Sequence, residues 1–115
     1  MSGGNKARKE AIREYKERKI PRGVFAVRCA DTGQAWVDST LDLRAAQNGL
    51  FFGLRTGSFR NVALQAEWVR HGEKAFHFDI LETLDDDVLP IALRDVLKEK
   101  KLRWVTQLGA QPLLP

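Results

Sequence analysis

The sequence contains a single cysteine, Cys29, in 115 residues. That excludes an intramolecular disulfide framework and a multi-thiolate zinc site. It lacks any apolar run near the roughly 20 residues a membrane-spanning helix needs. It also lacks the outline of a signal peptide, because its first apolar stretch is set among charges. A cytoplasmic protein without a membrane partner is the expectation. Three common site signatures are missing as well: the Gly-Lys-Ser/Thr phosphate loop, G-x-G-x-x-G and H-E-x-x-H. Histidine is scarce. His71 falls at the end of a predicted helix, where the dipole favours a cation, and His77 falls on a predicted strand. Neither has a partner visible in the sequence.

What is present suits one folded domain. Hydrophobic residues make up 43% and charged residues 30%, which fits neither a disordered chain nor a membrane protein. The net charge of +4 is unevenly spread. Residues 1–22 hold eight Lys/Arg against three Glu, a net of +5, and the remainder of the chain sums to −1. Such an arm suits a solvated helix braced by pairs such as Glu10–Arg13 and Glu14–Arg18. Lys9, Arg13 and Lys16 are equally able to neutralise phosphates.

Helix propensity is high from Lys6 to about Lys19, and Pro21 with Gly23 ends the helix. Gly23 to Cys29 reads as a strand, Asp31-Thr32-Gly33 as a turn, and Gln34 to Asp38 as the returning strand of a hairpin. Helical spacing follows over about Asp42–Arg55 and Asn61–His71, the second stopped by Gly72. Phe76 to Leu81 alternates as a half-buried strand does. A helix from about Ile91 to Leu108 precedes an irregular tail with two prolines. The order α-β-β-α-α-β-α implies an α+β domain on a small, largely antiparallel sheet. Cys29, mid-strand, is expected to be a small buried hydrophobe. Phe25, Trp68, Phe76 or Phe78, and Trp104 are expected in the core. Phe51, Phe52 and Phe59 cannot all be buried.

Gly23-Val24-Phe25 followed by Trp36-Val37-Asp38-Ser39 resembles the paired strands of the GIY-YIG nuclease family. The likeness continues through Asp42-Leu43, Leu54-Arg55-x-Gly57, Asn61, Leu64-Gln65, Trp68, His71-Gly72 and Phe76-x-Phe78-x-Ile80-Leu81-Glu82. It implies a three-stranded antiparallel sheet flanked by helices, here preceded by an extra basic helix. The corresponding division is a basic helical arm over 1–22, a GIY-YIG-like domain over 23–110 and an irregular tail over 111–115.

The resemblance also implies hydrolysis of DNA phosphodiesters with strand tyrosines, a helix arginine, often a histidine, and a glutamate holding one Mg2+ or Mn2+. That chemistry needs an activated water, a cation for the phosphorane charge and a metal by the leaving oxygen. In this sequence the tyrosine positions hold Phe25 and Trp36. The second-motif glycine is Asp38. The arginine position is Ala46, or Gly49 with a shift of one helix turn, and the histidine position is Phe59. An ungapped count puts the metal carboxylate at Asp95, whereas a Glu shortly before a Trp points to Glu99, ahead of Trp104. Asp38 is a second carboxylate able to join Glu99 at a metal, or else a simple turn acid. Arg44, Arg55 and Arg60 lie near the emptied arginine position, as phosphate contacts or as ordinary surface or ion-pair residues. The resemblance thus implies a nuclease-family protein with a heavily substituted site. The alternative is a non-catalytic DNA-binding or protein-interaction module on the same scaffold.

Overall fold

The computed structural model describes residues 20–85 and 87–114. The predicted basic helix, with Lys9, Arg13 and Lys16, lies outside these described residues. Strand β1 (Gly23–Cys29) and strand β2 (Ala35–Thr40) form the expected antiparallel hairpin, with Phe25 opposite Asp38 and Val27 opposite Trp36. Gly33, at φ 76°, turns the chain and donates its N–H to the Cys29 carbonyl at 2.8 Å. Helix α1 (Leu43–Thr56) and helix α2 (Val62–His71) follow, then β3 (Phe76–Thr83), helix α3 (Pro90–Leu108) and a two-residue strand, β4 (Gln111–Pro112).

The sheet order is β3-β1-β2-β4. This corrects the expectation of three antiparallel strands: among the described residues there are four, and β4 runs parallel to β2. The fourth strand comes from the segment expected to be an irregular tail. Its prolines suggested a loop, yet an edge strand tolerates proline because an N–H facing outward needs no partner in the sheet. The Leu113 N–H then bonds to the Val37 carbonyl at 2.8 Å, and the Leu113 side chain is buried.

β1 is central in the sheet and packed on both faces, which accounts for its apolar run from Gly23 to Val27; Arg28 after it is exposed. Phe25, Val27 and Cys29 face α1 and α2, in one cluster with Trp36, Leu50 and Trp68. Val24 and Ala26 face the other way with Val37, against Trp104 and Val105 of α3. Helices α1 and α2 start where short polar side chains cap them, and α3 starts on Pro90. Asp42 accepts the Ala45 N–H at 2.9 Å, and Asn61 accepts the Leu64 N–H at 3.1 Å. Helix α3 shows weak hydrophobic periodicity because lysines line its inner side, their aliphatic stems covering the sheet.

Gly23 sits where β1 comes closest to β3, beside a bulge between Val24 and Phe25. A Cβ at Gly23 would fall 2.0 Å from the Glu82 carbonyl oxygen. Backbone cannot yield that much without breaking strand pairing, so Gly23→Ala is expected to cost about 2–3 kcal/mol. Urea denaturation checks this through the unfolding midpoint.

Glu82 fastens α3 to β3. Its carboxylate accepts from Lys100 and, at 2.9 Å, from the Trp104 indole N–H. Those two hydrogen bonds, Lys100's the larger influence, hold the Glu82 carboxyl below its ordinary range. The folded state therefore binds this proton less readily than the unfolded chain. The stability Glu82 contributes is complete above the ordinary glutamate range and disappears as pH falls through and below it. Denaturation of Glu82→Gln should run below wild type at neutral pH, and the two curves should converge in acid.

Candidate nucleic-acid cleft

The register that pairs Phe25 with Asp38 and Val27 with Trp36 puts Phe25, Trp36 and Asp38 on one face of the hairpin, toward α1. A cleft of 280 Å³ opens there, lined by Phe25, Asp38, Ala46, Gly49 and Phe59 among others. The positions singled out from the sequence as Phe25, Ala46 (or Gly49) and Phe59 are therefore brought together. Helix α1 supplies Ala46 and Gly49. Phe59 arrives from the following loop and packs on Gly53, where a Cβ would lie 3.2 Å from its ring. The ring of Phe25 is stacked on Phe78, with centroids 4.8 Å apart.

Trp36 does not line the cleft. It is 1% exposed and belongs to the core beneath the hairpin, and its indole N–H finds no acceptor among the described residues. Of the other aromatics weighed, Phe76 and Trp68 are buried, Trp104 is half-buried, and Phe52 stands in solvent.

The carboxylates expected to hold a metal are elsewhere. Glu99 is exposed and meets Arg103 at 3.3 Å on α3, and Asp95 is exposed as well. The α3 side chain that reaches Asp38, a residue of the cleft lining, is Lys101. Strand β4 covers β2 only at Trp36 and Val37, which leaves β2 an edge at Asp38. Past that edge the Lys101 ammonium lies 3.1 Å from Asp38 Oδ1, and it donates to the Leu114 carbonyl at 2.6 Å. The Lys101 and Asp38 side chains are only 13% and 17% exposed. Asp38 Oδ1 also accepts the Ser39 N–H at 2.8 Å.

This donor set does not fit the divalent metal that the resemblance implies. A fixed ammonium already neutralises Asp38, and would repel a second cation. Among the described residues no three His, Cys, Asp or Glu side chains are grouped to hold a metal ion. No step can therefore be assigned to a metal here. Phe25, Ala46 and Phe59 carry no group able to take a proton from water, and the Asp38 carboxylate is paired through Oδ1 with the Lys101 ammonium.

The arginines divide. Arg55 is held by Glu73 (Nε to Oε1, 2.6 Å) and lies over the Phe51 ring, so it is committed to the fold. Arg60 is exposed and lines a groove with Asn61, Pro112, Leu113 and Leu114. Leu113 and Leu114 also line the cleft, so groove and cleft adjoin. Arg44 is exposed in the first turn of α1. Sequence reasoning missed Lys101, Leu113 and Leu114. Lys101 had a signal: with Leu97 and Trp104 it makes an i, i+4, i+7 stripe, the spacing of an inward helix face.

No protein-family model and no curated protein matches the chain. Solved structures do. A point variant of the catalytic domain of the intron endonuclease I-TevI superposes with a TM-score of 0.67 at 21% identity, covering 78% of this chain and 86% of that one. The catalytic domain of the homing endonuclease I-TevI gives a TM-score of 0.66 at 23% identity, covering 76% and 88%. Likeness at this identity carries the architecture: the fold is GIY-YIG-like.

Proposed function

We propose that this GIY-YIG-like domain binds nucleic acid, in particular DNA, without hydrolysing it. The observation that carries the reading is the Asp38–Lys101 pair, which sits beside Phe25, Ala46 and Phe59. Together these residues replace hydroxyl, guanidinium, imidazole and metal with two rings, a methyl and a neutralised ion pair. The scaffold is like that of endonuclease catalytic domains, and the reactive groups that the resemblance implies are absent from these positions. What remains around the cleft is suited to contact. Arg60 flanks it and Arg44 stands on the helix forming its wall. The sequence adds a net +5 over residues 1–22. Cationic side chains of this kind attract phosphates whatever the base sequence.

Fluorescence anisotropy of a labelled DNA duplex, titrated at several salt concentrations, tests the reading. Wild type should bind, with log affinity falling linearly against log salt. Replacing Lys9, Arg13 and Lys16 together by alanine should flatten that slope by about 2–3 if all three meet phosphates. An unchanged slope would remove the arm from the interface. No binding at low salt would overturn the reading.

A further inference from the structure

We propose that the cleft beside α1 receives a single nucleobase, drawn out of a nucleic-acid strand and bearing an exocyclic amino group. This rests on the nucleic-acid binding proposed above and specifies what the site grips. The lining is the first reason. A phosphate carries its hydration shell and demands cations or N–H donors, whereas the lining here is mostly apolar, with Ala46, Gly49, Phe59 and Leu113 over a floor of Phe25 and only Ser39 and Thr40 offering hydroxyls. A flat, weakly hydrated ring enters such a space at little cost, and 280 Å³ is room for one ring system with its edge groups.

Gly49 is the second reason. It stands inside a 14-residue helix, where glycine costs about 1 kcal/mol against alanine. Nothing in the fold requires it, since a Cβ there meets no atom within 4 Å. Its effect is on the cleft, whose wall it leaves bare for close approach. Asp38 is the third. It is the charged side chain in the lining, and it can only accept. Lys101 and the Ser39 N–H occupy Oδ1, while Oδ2 makes no hydrogen bond among the described residues. The amino group of cytosine, adenine or guanine matches that acceptor, whereas thymine presents a carbonyl oxygen in its place. The adjoining groove, ending on Arg60, gives a neighbouring phosphate its cation.

Short fluorescein-labelled homopolymers of dC, dA and dT, titrated with the full chain, provide the test. Wild type should bind the dC and dA strands on the order of tenfold more tightly than the dT strand. Gly49→Leu, a better helix former entering open space, should melt no lower than wild type. It should lose roughly tenfold in dC affinity and erase the preference over dT. Gln47→Leu, exposed on the same helix outside the cleft, should bind as wild type does. Equal wild-type binding of dC and dT, or a Gly49→Leu protein indistinguishable from wild type, overturns the base pocket and leaves nucleic-acid binding standing. Failure to bind any strand overturns both.

Discussion

Supercoiled plasmid incubated with this protein in Mg2+ or Mn2+ is expected to stay supercoiled, even with protein in molar excess. Removing one acid–base group or one charge stabiliser from a hydrolytic site costs on the order of 10²–10⁴ in rate. On the proposed reading three such roles are vacated, at Phe25, Ala46 and Phe59, and the α3 side chain that meets Asp38 is Lys101 rather than a carboxylate. Losses of this kind do not add, since groups acting as a unit fail together. Even so, the loss of two independent roles slows cleavage by about 10⁴ or more. Agarose gels of nicked against supercoiled DNA read the result, with Asp95→Ala and Glu99→Ala alongside. Nicking by wild type that vanishes with Glu99→Ala would restore a working metal carboxylate and overturn the non-hydrolytic reading.

The cleft's wall and floor were legible in the sequence, whereas its ion pair was not. Phe25 and Ala46 are fixed by strand pairing and helix spacing, and Phe59 follows shortly after the helix end and packs back on Gly53; such local features survive substitution of the reacting groups. Trp36 was read as a site position because the second strand motif reaches it, but a large ring on the hairpin's inner face is drawn into the core. The carboxylate positions failed for another reason. Counting along the chain cannot say which side of α3 faces the sheet when both sides carry charge, and Glu99 and Lys101 are two residues, about 200°, apart on the helix. Burial of Leu97 and Trp104 settles that phase and selects Lys101. The fourth strand was hidden because a two-residue parallel pairing held by Leu113 leaves no periodicity to detect.

If the Lys101 ammonium holds the position of a cation, exchanging its charge should create a metal dependence that wild type lacks. Lys101→Glu would place a second carboxylate beside Asp38 in a mostly covered setting. The change removes one ion pair, introduces like-charge repulsion and releases the Leu114 carbonyl. A cost of about 3–5 kcal/mol is expected in chelator, because Asp38 is left with an uncompensated neighbour. Divalent cation should then offset part of it. A site saturated a hundredfold above its dissociation constant contributes about 2.7 kcal/mol, so Mn2+ should raise the melting temperature of Lys101→Glu by several degrees. Lys101→Met isolates the charge: it keeps the aliphatic stem against the sheet, leaves Asp38 unpaired and should lose stability without responding to Mn2+. Thermal melts of the three proteins, with chelator and with Mn2+, decide the matter. Equal stabilisation of wild type and Lys101→Glu by Mn2+ would mean the cation binds elsewhere, and the ammonium would then be an ordinary structural partner of Asp38 rather than a replacement for metal.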